Sequence, residues 1–358
     1  MPSAPAVDVV IAVHDPSRPL ARAVRSVLHD RVEGVRVLVV CHGIPVAAFD
    51  DVRREFDEAP VVWLEFTDGV RSPTGPFMHG LRTATAEYVT IMGSDDFMEP
   101  GAVAAAVDHL RADRPDALVL PLMHQSGEIL RNPLARKGHV RHLDPIRDRL
   151  AYRTAPLAYL RRSMLGALDL VLTPEMPAGN DIEFSAKLWY SGARIDFHPA
   201  DPSYVIGADA DTRVTTAPRP ARLELTALRL LLTRDWLVDA PAAVRTSLMI
   251  KVLRIHVLGP VLRRASGGAL AADDIDAYAE VVRTAVGLAP RARRPFARAD
   301  RDLLDALVSD PHDRTAVAGA AAAHPTAGRF ARLIPRNPFA VADREGAIRR
   351  FLRYRSWP

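Results

Sequence analysis

The chain has 358 residues, enough for one large α/β domain and a second unit, and 48% of them are hydrophobic. Its formal net charge of +4 is too small to predict a nucleic-acid partner, and no aromatic residues interleave its basic clusters as base stacking requires. The single cysteine, Cys41, excludes an internal disulfide and a multi-cysteine zinc site. No charged-then-apolar leader opens the sequence, so a cytoplasmic protein is predicted.

Apolar runs and helical patterns alternate over the N-terminal third of the chain. The apolar runs are short and rich in β-branched residues, which is typical of buried strands. Such alternation predicts βαβ units, and therefore an α/β fold with a mostly parallel sheet flanked by helices. The predicted strands span 7–13, 35–40, 61–66 and 88–92, and the predicted helices span 20–28, about 78–85 and the Ala-rich segment after Gly101.

Two adjacent carboxylates, Asp95 and Asp96, follow the fourth predicted strand. In an open α/β sheet, ligands bind at the carboxyl ends of the strands. Two neighbouring aspartates cannot both be buried and charged there without a counter-ion, because desolvation and mutual repulsion are too costly. Solvent, a basic partner or a divalent cation bridging to a phosphate would each relieve that cost. The alternative is a simple turn in which an aspartate caps the following helix.

The order of these parts resembles that of the family 2 glycosyltransferases, which have the GT-A fold. The resemblance covers roughly residues 7 to 205 and depends on the order of several weak motifs. The similar segments are the strand and turn at 9–15, the helix at 20–28, the strand and polar turn at 37–43, Gly80-Leu81 with Ala84 to Tyr88, the motif ending in Asp95-Asp96 and Gly179-Asn180-Asp181.

The reaction that this resemblance implies is transfer of a sugar from a nucleotide-diphosphate donor to an acceptor hydroxyl, with inversion at the anomeric carbon. Asp95 would hold Mg²⁺ or Mn²⁺, which would neutralise the departing diphosphate. Asp96 would bind the metal through water, contact the donor sugar or cap the next helix. The expected acceptor is a cell-surface glycan, a lipid-linked glycan or a polyol-phosphate polymer.

Asp181 is the predicted general base on the acceptor side. It stands at a predicted helix start, where the helix dipole favours a carboxylate and would lower its pKa, whereas burial near a diphosphate would raise that pKa. The alternative is that Asn180 or Asp181 only caps this helix. Glu183 is a second candidate, for acceptor contact, and the alternative for it is an ordinary first-turn helix acid.

Four further residues are candidates for binding the donor nucleotide. His14 and Asp15 follow the first strand, where the resemblance places the base, although Asp15-Pro16-Ser17 is also a sufficient turn. His42 follows the second strand and would replace a missing acid, or it has only a structural role. Asp68 follows the third strand in a Thr-Asp-Gly turn and would contact the donor.

The sequence also departs from the family pattern. Cys41 and His42 replace an acidic pair, Phe77 and Met78 replace an Arg-Asn pair, and Gly93 replaces the first Asp of the Asp-x-Asp motif. These departures leave open a catalytically degenerate relative that binds a glycan or a protein. The first strand leads into a turn without glycine, which argues against P-loop and dinucleotide-binding enzymes.

The pattern becomes helical after about residue 215, which predicts a catalytic domain over 1–215 and a helical C-terminal domain over 216–358. The stretch 247–258 is interpreted as a core helix or as an interfacial one. Basic clusters suggest peripheral contact with the inner face of the cell membrane or with a phosphate-containing acceptor, and homo-oligomerisation stays open. Predicted helices span 223–238, 242–258 with a break or a kink at Gly259-Pro260, 273–286, 301–308, 316–323 and 343–354.

Overall fold

The computed structural model describes residues 6–176, 178–209, 219–309 and 311–357. The strands are β1 (Val7–Val13), β2 (Val35–His42), β3 (Val61–Phe66), β4 (Tyr88–Gly93), β5 (Phe97–Met98), β6 (Ala117–Val119), β7 (Leu122–His124), β8 (Ile129–Leu130), β9 (Ala158–Arg161), β10 (Ile195–Phe197) and β11 (Tyr204–Ile206). The N-terminal helices are α1 (Leu20–Leu28), α2 (Asp50–Glu55), α3 (Thr74–Thr83), α4 (Ala102–Asp113), α5 (Ser163–Ala167) and α6 (Ile182–Tyr190).

Seven strands form the central sheet in the order β10-β6-β9-β4-β1-β2-β3. Among the described residues, β9 is the only strand of this sheet that runs antiparallel to its neighbours. The prediction of a mostly parallel sheet is therefore confirmed. Val9, Val10 and Ile11 of β1 are completely buried, because helices cover both faces. This is why the strand is a nearly continuous apolar run rather than an alternating one.

A second sheet has the order β5-β11-β7-β8. Its first strand, β5, begins directly after Asp95-Asp96 and pairs antiparallel with β11. This pairing carries the segment around Tyr204 to Gly207 back onto the two aspartates. The second sheet therefore forms one wall of the edge at which β4 ends.

The C-terminal half is helical, as predicted, although several boundaries differ. The predicted single helix 223–238 is three short helices separated by turns, and the predicted division between domains at 215/216 lies outside the described residues. The C-terminal helices are α7 (Ala221–Glu224), α8 (Thr226–Leu232), α9 (Asp235–Val238), α10 (Ala242–Lys251), α11 (Gly259–Ser266), α12 (Ala272–Leu288), α13 (Arg298–Val308), α14 (Arg314–Ala323), α15 (Arg329–Leu333) and α16 (Ala347–Arg355).

Of the two alternatives predicted at Gly259-Pro260, a break or a kink, the break is wrong. A π-helix, Val252–Leu258, joins α10 to α11 without interruption, and Pro260 lies in the first turn of α11. A proline lacks a backbone N–H, so it fits where the hydrogen-bonding pattern changes between the two helix types. Most of 247–258 is buried, so the core-helix interpretation is correct and the interfacial one is not. No helix in the described ranges combines the length and apolarity needed to cross a bilayer.

Candidate active site

Asp95 lies where β4 ends and is paired with a basic residue. Arg18 Nη1 donates a hydrogen bond of 2.8 Å to Asp95 Oδ2, and the two side chains are only 10% and 19% exposed. Arg22, one helical turn further on, donates to the backbone carbonyl of Asp95 at 2.6 Å and pairs with Asp209. The sequence analysis missed both arginines. Their spacing of four residues across the start of α1, directly after the first strand, was the available signal.

Asp96 is held by the second sheet. Its carboxylate accepts hydrogen bonds from the Tyr204 hydroxyl at 2.5 Å and from the Gly207 backbone N–H at 2.8 Å. Burial, followed by the nearby Asp96 charge, raises the pKa of Tyr204 well above its usual value, so the hydroxyl stays a donor. Asp96 does not cap the next helix, because α4 begins at Ala102 with Gly101 before it. That alternative for Asp96 is therefore wrong.

Gly93 occupies the position where the family pattern has an aspartate, and the packing explains why. A Cβ atom built on Gly93 would lie 2.6 Å from Asp96 Oδ2 and 3.1 Å from Asp95 Oδ1. Both carboxylates thus fold back over the position that a first aspartate would occupy. Gly207 is constrained in the same way, since its Cβ would lie 1.7 Å from the carbonyl oxygen of Asp95. The two glycines let β11 close over the aspartates.

The candidates for nucleotide binding meet at the ends of β1, β2 and β3. His42 Nε2 lies 2.8 Å from Asp68 Oδ1, and this hydrogen bond is the main cause that lowers the pKa of Asp68. Reduced solvation and, after it, the Arg18 guanidinium lower the pKa of His14. The carboxylates of Asp15 and Asp95 oppose this decrease, and His42 adds to it. Parallel strands bring these residues to one edge, although they are far apart in the sequence.

Asp15 belongs to this edge but forms a local turn. Its carboxylate accepts a hydrogen bond of 2.9 Å from the Ser17 backbone N–H, and that bond lowers its pKa. This hydrogen bond is the one expected if Asp15 only stabilises the Asp15-Pro16-Ser17 turn. Cys41, which precedes His42 at the end of β2, is fully buried, and burial raises the pKa of its thiol to about 12. The thiol is neutral at physiological pH and is not a nucleophile.

Asp181 immediately precedes α6, as predicted, but its side chain makes no capping hydrogen bond to that helix. Asn180 does not cap it either, because its amide donates to Thr74 Oγ1 at 2.9 Å. The Thr74 hydroxyl in turn donates to the Thr173 carbonyl at 3.2 Å. Loss of solvation raises the pKa of Asp181 to about 6, and the Lys251 ammonium opposes this rise. Such a carboxylate suits a proton acceptor near neutral pH.

A series of contacts connects the Asp181 loop to the nucleotide candidates. Asn180 binds Thr74 at the start of α3, and Gly75 follows Thr74. A Cβ on Gly75 would lie 2.2 Å from Asp68 Oδ2, so α3 packs directly on the residue that His42 binds. The start of α6 and the ends of β2 and β3 therefore share one helix as their support.

Glu183 is buried in the first turn of α6 and is engaged by the C-terminal half. Its carboxylate accepts hydrogen bonds from Arg234 Nε at 2.9 Å and from the Trp236 indole at 3.2 Å. These contacts fix α6 against the segment that contains α9. They match the alternative of a first-turn helix acid with a structural role. None of these hydrogen bonds favours a role for Glu183 in binding the acceptor.

Asp95, at the end of β4, can offer a carboxylate oxygen to a divalent cation. Arg18 engages one oxygen of Asp95, and a carboxylate still offers its second oxygen as a ligand. Mg²⁺ commonly uses one or two protein carboxylates, with phosphate oxygens and water completing the shell. Asp95 therefore fits such an ion when a diphosphate supplies further ligands. Asp96, which Tyr204 and Gly207 engage, is not needed as a direct ligand.

In the described residues, one group of three potential ligands lies elsewhere: His109, His198 and Asp201 have ligand atoms within 4.8 Å of one another. The two imidazole rings stack with their centroids 3.6 Å apart and their planes 11° apart. A nitrogen lone pair points along its ring plane, so two nearly parallel rings cannot both direct their lone pairs at one ion. His109 instead bonds Asp201 at 2.9 Å. This cluster is not a substitute for Asp95.

Comparison with known proteins agrees with this architecture. Residues 8–168 match the model of the family described as glycosyl transferase family 2. The fold is similar to the crystal structure of residues 1–349 of S. aureus TarS in complex with UDP-GlcNAc, with a TM-score of 0.75, 14% identity and coverage of 90% of this chain and 92% of that chain. The same fragment in complex with UDP gives a TM-score of 0.71 at 14% identity, covering 90% of this chain and 91% of that one.

The longer S. aureus TarS structure has a TM-score of 0.71 at 14% identity, and the match covers 89% of this chain and 55% of that chain. Identities this low show a common fold only. No curated protein sequence gives a significant match. The family match and the common fold cover the strands and helices that position Asp95. Residues 8–168 of the chain therefore match a glycosyl transferase family 2 domain, and the chain has the GT-A fold.

Proposed function

We propose that the chain transfers a sugar from a nucleotide-diphosphate donor to a hydroxyl of a cell-surface glycan, with inversion and with Asp181 as the general base. The observation that carries this proposal is the series of contacts from Asn180, the neighbour of Asp181, to Thr74, and from the adjoining Gly75 to Asp68 and His42. It supports a single cleft in which a base on the α6 side faces a donor bound at the strand ends. Neighbours of the same fold bind UDP-GlcNAc and UDP, which makes UDP the first nucleotide to test.

In the proposed reaction, the acceptor oxygen forms a bond to the anomeric carbon of the sugar. The bond from that carbon to the diphosphate breaks, and its electron pair leaves with the nucleoside diphosphate. Asp181 takes the proton of the acceptor hydroxyl, which its pKa of about 6 permits at neutral pH. Attack from the face opposite the leaving group inverts the configuration.

Two arginines would stabilise the charge that develops on the diphosphate. Arg18 and Arg22 both bind Asp95, one through its carboxylate and one through its carbonyl oxygen, so their guanidinium groups lie beside the end of β4. Guanidinium groups form strong charge-assisted hydrogen bonds with phosphate oxygens. A Mg²⁺ or Mn²⁺ ion at Asp95, when bound, would add positive charge next to the same leaving group. We expect Asp68 and His42 to contact the nucleotide.

The runner-up is a degenerate relative that binds a glycan or a protein without catalysis. Its best support is the pair of Arg18 with Asp95, because a guanidinium on that carboxylate opposes a second cation. Gly93 supports it less, since packing against Asp95 and Asp96 accounts for the glycine. Nucleotide binding that depends on a metal and on Asp95 separates the two functions.

We also propose peripheral contact with an anionic membrane through α16. Phe351 and Leu352 of this helix are 55% and 59% exposed, and Arg349 and Arg355 beside them are exposed. Phe339, in the segment packed on α16, is 85% exposed. Apolar side chains framed by arginines are typical of helices that lie on anionic lipid. Such contact would keep the enzyme near an acceptor at the inner face of the membrane.

The decisive experiment is thermal unfolding of the wild type and of Asp95→Asn with UDP, GDP, CDP and dTDP, each with and without Mn²⁺. A ligand at about a hundred times its dissociation constant adds about 2.7 kcal/mol of stability. We expect one nucleotide to raise the unfolding temperature in the presence of Mn²⁺ and Asp95→Asn to lose this increase. That nucleotide then enters a transfer assay with its sugar conjugates. If no nucleotide raises the unfolding temperature, the catalytic proposal is rejected.

A further inference from the structure

A groove of about 650 Å³ lies between three parts of the C-terminal half. Its walls come from α10, from the 3-10 helix Pro290–Arg293 that follows α12, and from the segment 343–345 that precedes α16. Ile146 of the N-terminal half also lines it. Ligand sites in proteins commonly have volumes of about 300–1,000 Å³. The groove is therefore large enough for a small organic molecule, and none of the candidate active-site residues lines it.

Arg245 of α10 places an oriented cation in the lining of this groove. Its Nη1 donates to the carbonyls of Val238 at 2.8 Å and Ala240 at 2.6 Å, and its Nε donates to the carbonyl of Leu288 at 3.1 Å. These acceptors are uncharged, so they orient the guanidinium without neutralising it. Among the described residues, no hydrogen bond engages its remaining nitrogen, Nη2. Arg245 therefore keeps both its charge and one donor for a ligand.

Two exposed arginines, Arg291 and Arg344, line the same groove. The backbone of Arg291 is held in the 3-10 helix by its buried neighbour Ala292. The carbonyl of Arg344 accepts a hydrogen bond of 2.5 Å from Arg149 Nη2. Within the described ranges, neither guanidinium forms an ion pair with a carboxylate. Guanidinium groups bind phosphate oxygens through charge-assisted, commonly bidentate hydrogen bonds.

The two acidic residues in the lining are already engaged by the protein. Asp343 Oδ1 accepts a hydrogen bond of 2.9 Å from the Glu345 backbone N–H, which closes a local turn. The Glu345 carboxylate is buried and pairs with Arg149 at 2.9 Å and with Arg350 at 3.1 Å. The charge that stays uncompensated in the groove is therefore positive, and it favours an anionic ligand.

The remainder of the lining is apolar or small. Ile146, Ile250 and Leu288 contribute aliphatic side chains. Ala242 and Ala243 belong to the first turn of α10, where the positive end of the helix dipole also favours an anion. Guanidinium groups beside aliphatic surface suit a phosphate that carries an organic substituent better than they suit free phosphate.

The groove is separate from the proposed general base. Ser247 lines it and bonds Tyr190 at 2.9 Å, at the C-terminal end of α6. Asp181 precedes the opposite end of this helix, and the nine residues of α6 span about 13 Å. A ligand in the groove is therefore remote from the acceptor hydroxyl that Asp181 would deprotonate.

The surroundings of the segment 343–345 indicate the source of such a ligand. In the chain, this wall lies between Phe339, which is 85% exposed, and Phe351 of α16, which is 55% exposed. These are side chains for which contact with anionic lipid is proposed above. A membrane that contacts both of them would bring phosphodiester headgroups to this wall of the groove.

We propose that the groove binds the phosphodiester headgroup of an anionic phospholipid, with Arg245, Arg291 and Arg344 as its phosphate contacts. This inference rests on the proposed membrane contact through α16 and does not depend on the transfer reaction. It adds a defined headgroup site to the general attraction between basic residues and anionic lipid. Attachment at both the groove and α16 would fix the orientation of the enzyme on the membrane.

The first test uses glycerophosphoglycerol, the soluble headgroup of phosphatidylglycerol, with the full chain and no membrane. In an amide NMR titration, we expect the largest shift changes at Ala242, Ala243 and Thr246, which line the groove. The double variant Arg291→Gln with Arg344→Gln should bind this diester at least about tenfold more weakly, because charge-assisted hydrogen bonds are lost. Both arginines are exposed, so the variant is expected to fold.

The matched control is Arg31→Gln with Arg82→Gln. It removes the same charge from two exposed arginines that do not line the groove, and it should bind the diester as the wild type does. Equal weakening in the two double variants would show a general charge effect and would overturn the proposal. A titration without shift changes at the groove would also overturn it.

The second test is co-sedimentation with vesicles that contain phosphatidylglycerol. Ala243→Trp fills the groove at an exposed position without changing the charge, so it should reduce vesicle binding, as the double variant of Arg291 and Arg344 should. Phe351→Ser with Leu352→Ser should lose vesicle binding but keep the soluble diester, which separates a failure at α16 from a failure at the groove. Vesicle binding unchanged in both groove variants would overturn the assignment to lipid, even where the soluble diester binds.

Discussion

Arg18 Nη1 and Asp95 Oδ2 are joined by a hydrogen bond of 2.8 Å at the end of β4. The arginine follows the first strand and the aspartate follows the fourth, and these two strands are direct neighbours in the sheet. The guanidinium supplies the basic counter-charge that the Asp-Asp sequence requires. It also places a phosphate-binding group beside the carboxylate predicted to hold a metal ion.

Removal of the Arg18 charge should change nucleotide and metal binding in opposite directions. In Arg18→Met, the affinity for the nucleotide without metal should fall about tenfold, because one charge-assisted hydrogen bond worth about 1.4 kcal/mol is lost. The affinity for Mn²⁺ alone should rise, since a carboxylate oxygen is released and a nearby positive charge is removed. Isothermal titration calorimetry measures both affinities.

The control is Arg25→Met. Arg25 lies in α1, and its exposed ion pair with Glu55 is lost in this variant. Equal binding by Arg18→Met and the control would contradict this role for Arg18.

Gly93 should be coupled energetically to Asp96. Gly93→Ala places a Cβ 2.6 Å from Asp96 Oδ2, so we expect a loss of about 1–3 kcal/mol in the free energy of unfolding. Asp96→Ala removes the obstructing oxygen, and the double variant should therefore lose less than the sum of the two single losses. Urea unfolding of the four proteins measures this difference. Strict additivity would show that the close approach is relieved in another way.

Asp181→Asn should bind the donor normally but transfer sugar about 10²–10⁴ times more slowly, because the amide cannot accept the proton. The wild-type kcat/KM should rise with pH through about 6, the pKa of Asp181, and then level off. Initial rates across pH 5 to about 8 test the profile. An Asp181→Asn protein with wild-type turnover would exclude Asp181 as the base.

The same substitution should also change stability in a pH-dependent way. Since the pKa of Asp181 is raised in the folded protein, its contribution to stability is complete below the unfolded value of 3.8 and is lost as the pH rises through about 6. Asparagine stays neutral, so the stability of Asp181→Asn relative to wild type should increase across this interval. Denaturant unfolding at several pH values measures it. A difference that does not vary with pH would mean that Asp181 has an ordinary pKa.

Membrane contact through α16 should require both apolar and basic side chains. Two double variants test this: Phe351→Ser with Leu352→Ser, and Arg349→Glu with Arg355→Glu. Each should lose most of its co-sedimentation with vesicles that contain phosphatidylglycerol. Leu223→Ser with Val238→Ser is the control, since these residues are 46% and 43% exposed on other helices. Neutral phosphatidylcholine vesicles should bind weakly at most. Wild-type protein that ignores anionic vesicles but self-associates in light scattering would assign this surface to a second copy of the chain.

The strands of the N-terminal half were predictable because local composition decides them. β1 and β3 span the predicted residues: β1 is a mostly β-branched run buried on both faces, and β3 is a half-buried apolar run at the edge of the sheet. The motif at Asp95, the start of α6 at Asp181 and the mostly parallel sheet also follow from the order of residues. The Gly259-Pro260 break was mispredicted, because the proline signal does not reveal a π-helix that accommodates it.

The sequence by itself determined the α/β fold class and which side chains stand at strand ends, because periodicity and turn residues are properties of neighbouring residues. Tertiary structure alone decided the pairs: Arg18 with Asp95, His42 with Asp68 and Tyr204 with Asp96. Each pair joins segments that are distant in sequence. No pattern of spacing along one chain specifies such contacts; they exist because strands pair and helices pack.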